Sequence, residues 1–302
     1  MRIAYLISAY TDLPQLMRTM DALDSEDSRF FVHIDRKSTM TVPPREHLNV
    51  LEKRFFVQWG GWNQVLYQQA LLEACMNDPA GFDRIVLISG QDYPLLSPEG
   101  IAREFRLHPD RQYVKGQNIS APGTPERGRE KITVYHFFRD LELPHRLKQA
   151  VCGGSRWLMR LLPIRKKPYL MVHGERWDVY QASSYLALTG ACARYVLEQM
   201  RRNRELMSYF RHSFIPEELV IPTILFHSPY REGCEEVEGG YLELEDLSAL
   251  TYFHYGEKVS EFRLEDYDEL IASGKMFARK MRTGVSDTLM DRINALNRIA
   301  TP

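Results

Sequence analysis

The stretch RIVLISGQDYP, residues 84–94, decides how the chain is read. Its first half is a short apolar run bounded by Gly90, the pattern of a strand, and it ends on the polar pair Gln91-Asp92. Working outward, RFFVHID (29–35) and IAYLISA (3–9) have the same form, and FFVQW (55–59) reads as a further strand. Between them, LPQLMRTMDAL (13–23) and VLYQQALLEACM (65–76) have the 3.6-residue apolar spacing of helices. Strand and helix alternate, so the fold class expected is α/β, with a sheet containing parallel members and helices on its faces. Such sheets bind ligands at the carboxyl ends of their strands. Those ends carry Ala9-Tyr10, His33 to Asp35, Trp59-Gly60-Gly61 and Gln91-Asp92, a small, polar and aromatic set suited to a nucleotide.

The totals exclude several classes. The chain has 302 residues, 44% hydrophobic and 26% charged, with a net charge of −1. That is ordinary globular composition with no global field for nucleic acid. The four cysteines (Cys75, Cys152, Cys192, Cys234) are far apart and form no CxxC pair. They suit neither a zinc site nor a disulfide framework, so a reduced, cytosolic chain is expected. IAYLISAY is too short for a signal sequence, and no apolar stretch has the length of a membrane span. GxSxG, Walker and HExxH motifs are absent.

Residues 115–175 are irregular and rich in Gly, Pro, Arg and Lys, a long excursion within one domain spanning 1–302. YLALT (185–189) then reads as a strand, ARYVLEQMRRNRELMSYF (193–210) as a helix, and PEELVIPTILFHS (216–228) as another. That last segment opens with two adjacent acids, Glu217 and Glu218, behind Pro216. The plain reading is compensation of a helix dipole. The chemical one is a fixed carboxylate acting as a base.

An α/β enzyme of nucleotide sugars often holds a divalent ion between paired acids, because hard cations need converging oxygen ligands. Here the fourth strand offers Asp92 alone, and Asp266-Tyr267-Asp268 falls in a predicted helix where such side chains diverge. No metal and no cofactor are therefore expected. Without a metal, cations must stabilise a leaving diphosphate. GKMFARKMR supplies Lys275, Arg279, Lys280 and Arg282, interleaved with apolar residues that would pin them to the core, and Lys258 is a further candidate. A solvated basic helix face is the alternative. SRWLMRLLPIRKKPYL (155–170) is basic and amphipathic. It reads as a surface helix, or as a peripheral contact on an anionic membrane that would suit a lipid-linked acceptor.

In order, FFVHIDRKS, FVQWGGWNQVLYQQALL, DRIVLISGQDYPL, YQASSYLALTGACARYVL, IPEELVIPTIL and MFARKM resemble the core-2/I-branching glycosyltransferases, over roughly residues 2–282. That family includes β-1,6-N-acetylglucosaminyltransferases and peptide O-xylosyltransferases. The resemblance implies a GT-A-type, Rossmann-like mixed sheet flanked by helices and an inverting, metal-independent transfer from a UDP-sugar to a glycan hydroxyl. It implies Glu218 as catalytic base and Lys280, with Arg279 or Lys258, at the diphosphate. Ala9, Tyr10, Asp35, Trp59, Gly60, Gly61, Gln91 and Asp92 fall on the donor side. Ser183, Ser184 and Tyr185, together with Trp177, fall on the acceptor side. Residues 1–114 would mainly serve the nucleotide-sugar, and 115–302 the acceptor, the base and the phosphate segment. Three positions depart from the family pattern: Glu217 stands for aspartate, Ala182 for glycine, and Arg282 where an acid is frequent. The chain resembles a bacterial-type soluble member, with N-acetylglucosamine as the first donor and xylose or glucuronic acid as alternatives. A glycan-binding protein without turnover, or a metal-dependent transferase using Asp92 or Asp35, are the rival readings.

Overall fold

The structure, a computed structural model, describes residues 1–162, 164–255 and 259–300. Strand β1 (Ile3–Ala9), helix α1 (Leu13–Ala22), strands β2 (Ser28–Ile34) and β3 (Leu48–Val50), helix α2 (Asn63–Asn77) and strand β4 (Arg84–Ser89) follow one another. They build a five-stranded sheet ordered Leu186–Thr189, β4, β1, β2, β3. β1 lies between β2 and β4 and is parallel to both, with Tyr5 opposite Phe30 and Val86. The edge strand Leu186–Thr189 runs antiparallel to β4, so the sheet is mixed, as expected.

Side chains alternate across the sheet. Ala4, Leu6, Ile85 and Leu87 pack with Val65, Leu71 and Leu72 of α2, and with Val196 of the helix Gly190–Arg202. Tyr5, Ile7, Val86 and Ile88 pack on the other face with Leu16 and Met20 of α1, and with Ile101 and Phe105 of the helix Pro98–Leu107. Helices cover both faces, which is why β4 is apolar from Ile85 to Ile88 and buried throughout.

Three elements differ from the sequence reading. FFVQW is not a strand; the strand is Leu48–Val50. The 55–59 segment is tied to the end of β2 by isolated bonds, Phe55 N–H to His33 Nε2 at 3.0 Å and Arg36 N–H to Phe55 O at 2.9 Å. The helix expected over 193–210 is two, Gly190–Arg202 and Arg204–Phe210, because Asn203 Oδ1 accepts from Leu206 N–H at 2.9 Å and starts a new helix. The acids of 216–228 stand in a separate 3-10 turn, Pro216–Glu218, ahead of the helix Val220–Phe226. Ile215 takes φ 52° just before it, which turns the chain sharply into that element.

The basic run near the C-terminus is a strand, Phe277–Arg279, and not a helix face. It pairs antiparallel with Asp92–Pro94 in a small second sheet, with Phe277, Ala278 and Met281 fully buried. No helix among the described residues is long and apolar enough to cross a membrane.

Candidate active site

The strand ends place most of the expected donor-side residues together. At the end of β1, Ala9 is buried and its carbonyl accepts from Asp35 N–H at 2.9 Å, while the next residue, Tyr10, is 56% exposed. Asp35 Oδ1 accepts from Lys37 N–H at 2.9 Å and Oδ2 lies 3.3 Å from Lys37 Nζ, so the buried acid is held firmly. Behind it His33 stacks on Tyr67 of α2 with centroids 4.9 Å apart. Burial pushes the His33 imidazole down to about 4, which keeps Nε2 free to accept from Phe55 N–H.

Asp92 follows β4 and is fully buried. It accepts from Ser89 N–H at 3.0 Å and Ser89 Oγ at 2.9 Å, and from Arg279 Nη1 at 3.0 Å. Burial pushes the Asp92 carboxyl up, and the Arg279 charge opposes that. Arg279 also covers the Tyr185 ring at 4.6 Å. Tyr185, expected with the acceptor residues, thus meets the donor-side arginine, and Ser184 lines a small void with it beside Ser8 and Tyr67. Gln91 is buried and its carbonyl accepts from Met281 N–H at 2.9 Å, fastening the Lys280 segment to the strand end. Lys280 itself is half-buried. Of the other expected cations, Lys275 donates to Ser248 O at 2.7 Å and Arg282 pairs with Glu261 at 3.2 Å, both away from this cluster. Lys258 lies outside the described residues.

Trp59-Gly60-Gly61 links this side to the two acids. Trp59 is 69% exposed and meets Phe214 edge-on, centroids 4.9 Å apart, two residues before Pro216. Gly60 has φ 69°, and a Cβ there would lie 2.6 Å from the Phe214 ring. At Gly61 a Cβ would lie 2.2 Å from Asp140 Oδ1. Asp140 comes from the 115–175 excursion and accepts from Trp62 N–H at 2.8 Å and Asn63 N–H at 3.2 Å, supplying the cap that α2 lacks from its own sequence. At the second residue of α2, Gln64 donates to Glu217 Oε1.

Glu217 and Glu218 are both buried, 5% and 7% exposed. They face different partners. Glu217 Oε2 has no hydrogen-bond partner. Glu218 Oε2 accepts from Gln181 Nε2 at 3.1 Å, and Gln181 Oε1 accepts from Lys131 Nζ at 3.0 Å. Burial pushes the Glu217 carboxyl well up, and the neighbouring Glu218 charge pushes it further. Burial also raises Glu218, to about 7, against the Lys131 charge and the Gln181 hydrogen bond that favour its ionised form. Both carboxyls are therefore pushed up by burial, Glu217 further by the neighbouring charge, while Lys131 and Gln181 favour the ionised form of Glu218.

Glu218 opens onto a cleft of about 1090 Å³ lined also by Trp59, Lys131, Gln181, Phe214 and Tyr255, and by Arg156, Arg160 and Arg165. The cleft is large enough for several sugar rings. Ser183 is buried nearby in sequence, its Oγ accepting from Tyr185 N–H at 3.2 Å, and it does not line the cleft. Trp177 is also buried away from it, stacked on His227 at 4.7 Å. Lys131, Gln181, Gln64 and Asp140 were not singled out from the sequence. Gln181 adjoins the expected Ala182-Ser183-Ser184-Tyr185 motif and was findable there, whereas Lys131 and Asp140 sit in the irregular excursion with no pattern to mark them. Among the described residues no group of three or more His, Cys, Asp or Glu is placed to share a metal ion.

The chain belongs to the Core-2/I-Branching enzyme family, whose model matches residues 3–241. Among curated proteins it is similar to xylosyltransferase oxt of Drosophila melanogaster, with 22% identity over 96% of this chain and 32% of that protein. It is similar too to xylosyltransferase 2 of Rattus norvegicus, with 21% identity over 96% of this chain and 33% of that one. The chain thus spans about a third of the length of the curated relatives it matches. A solved structure of a candidate glucose-1-phosphate thymidylyltransferase from Bacillus anthracis, in complex with a sucrose, covers 98% of this chain and 95% of its own. Its identity is 12% and its TM-score 0.27, too slight a likeness to carry an argument.

Proposed function

We propose that the chain transfers a sugar from a UDP-sugar to a hydroxyl of a glycan acceptor, with inversion at the anomeric carbon and with Glu218 as general base. The observation that carries this reading is the Glu218 carboxylate, buried, hydrogen-bonded through Gln181 to Lys131 and open to the cleft. The acceptor hydroxyl oxygen forms the new bond to the anomeric carbon as the bond from that carbon to the diphosphate oxygen breaks. The hydroxyl proton passes to Glu218, and UDP departs as the leaving group. Lys280 stabilises its charge, beside an Arg279 held by Asp92. Because the Asp92 carboxylate is committed to Arg279 and Ser89, a side-chain cation is favoured over a metal held there. Residues 1–114 serve mainly the donor, and the cleft from 115 onward receives the acceptor. The four cysteines, none bonded to another, suit a reducing compartment such as the cytoplasm.

N-acetylglucosamine is the first donor proposed, from the makeup of the family. Xylose is the second reading, favoured by the names of the matched relatives. A panel of UDP-N-acetylglucosamine, UDP-xylose and UDP-glucuronic acid, assayed for donor hydrolysis and transfer with and without EDTA, tests both. Transfer by wild type that persists in EDTA and falls about 10²–10⁴-fold in Glu218→Gln, with UDP affinity unchanged, is expected. UDP binding without turnover of any donor would leave a binding protein instead, and activity restored to EDTA-treated enzyme by Mn²⁺ would overturn the metal-free mechanism.

A further inference from the structure

Residues 145–170 contain seven lysines and arginines and no acid, in a chain of net charge −1. Most of this stretch is the helix His145–Leu161, whose described side chains include none that is fully buried. At 3.6 residues per turn its side chains divide among three directions, the second about 70° round from the first and the third about 150° beyond the second. One, carrying Cys152 and Met159, rests on the body of the protein, where Cys152 Sγ lies 3.5 Å from Phe138 O. The second carries Arg156 and Arg160 into the wall of the Glu218 cleft. The third carries Leu147, Leu158 and Leu161 into solvent with Trp157 at its margin, each between 48% and 64% exposed, and Ile164 (52%) continues it past the helix end.

A surface helix normally turns its apolar stripe toward the core. Here the stripe faces outward, and an exposed apolar patch of this kind marks a contact surface. The charges around it select the partner. Among the described residues the only ion pair of the segment is Arg160 with Glu130. Arg165 donates to the carbonyls of Arg160 at 2.9 Å and Leu162 at 3.0 Å and lines the cleft with Arg156 and Arg160. Of the other cations, Lys166 turns inward to Tyr209 O and Ser213 Oγ, while Arg146 and Lys167 are exposed and in no ion pair among the described residues. Leucines and a tryptophan accompanied by these two exposed cations match an anionic lipid surface, where apolar side chains reach the acyl boundary and cations meet headgroup phosphates.

We propose that this helix docks the chain on an anionic lipid bilayer through Leu147, Trp157, Leu158, Leu161 and Ile164. Because the same helix forms one wall of the cleft, docking brings the cleft within one helix diameter, about 10–12 Å, of the headgroups. Resting on the acceptor reading of that cleft, the acceptor class is then a lipid-linked glycan. The test is co-sedimentation of the whole chain with vesicles of phosphatidylcholine containing about one-third phosphatidylglycerol, against phosphatidylcholine alone. Binding to the anionic vesicles only is expected. The double variant Leu158→Glu/Leu161→Glu, which alters solvent-facing positions, should reduce the bound fraction about tenfold with its cooperative unfolding unchanged. A charge variant, Arg146→Glu/Lys167→Glu, should reduce it likewise. Equal binding to both vesicle types, no binding to either, or full binding by the leucine variant overturns the proposal. So does a dimer that the leucine variant dissociates while vesicles bind nothing, which would make this face a contact between copies. The UDP-induced thermal shift, measured alongside, reads the donor site separately, so loss of one result leaves the other standing.

Discussion

Asp92 and Arg279, 187 residues apart in the chain, stand in register across antiparallel strands with 3.0 Å between carboxylate and guanidinium. The Asp92 side chain is fully buried and that of Arg279 is 15% exposed. The pair joins the end of β4 to the segment that carries Lys280. Removing one partner strands the other charge in a low-dielectric site. Arg279→Ala should therefore cost about 3–5 kcal/mol in urea unfolding. The double variant Asp92→Asn/Arg279→Ala should lose clearly less than the sum of its singles, and strict additivity would show that the ion pair is not coupled.

Glu218, pushed up to about 7 by burial, must be ionised to act as a base. The value of kcat/KM should fall about tenfold for each pH unit below that point. Lys131 favours the ionised form through Gln181, so Lys131→Met should move the acid limb toward higher pH, by about one unit. A limb that stays in place in this variant would remove Lys131 from the control of Glu218.

Glu217 has its ionisation raised well above the ordinary range by burial and by Glu218. An acid whose folded-state pKa is raised holds its proton in the folded state where the unfolded chain has released it. Stability then declines as pH rises above the ordinary carboxylate range, from about 4.5 upward. Glu217→Gln keeps the amide-accepting oxygen for Gln64 but does not titrate. Its unfolding free energy relative to wild type should rise steadily between pH 5 and pH 8. A constant difference across that range would count against a raised Glu217.

Asp140 caps α2 from outside the helix. Asp140→Ala should cost about 1 kcal/mol and lower Tm, because two N–H groups lose their acceptor. The start of α2 carries Gln64 and follows Trp59-Gly60-Gly61. The same variant should for that reason raise KM for the donor, while a change in Tm alone would make the cap purely structural.

The unbroken run of β4 and the alternation on either side of it were legible because burial on both faces demands apolar residues in sequence, whatever the rest of the chain does. Glu218 stood out as a candidate through the resemblance of IPEELVIPTIL to a family motif, since two acids ahead of an apolar helix by themselves suit a helix dipole. FFVQW misled for the opposite reason: its composition suits a strand, but its backbone bonds go singly to β2 residues and not to a ladder. Local pattern could not tell that Asp92 spends its carboxylate on Arg279, or that Lys131 steadies Glu218 through Gln181. Those partnerships join segments that are remote in the chain, and chain packing alone decides which of many compatible charges meet. By itself the sequence determined the alternation of buried strands β1, β2 and β4 with the helices between them, dictated by short-range periodicity and burial. Only the tertiary structure decided that Glu217 and Glu218 face different partners, and that one helix shows arginines to the cleft and leucines to solvent. Burial and distance set both outcomes, and neither is a property of neighbouring residues.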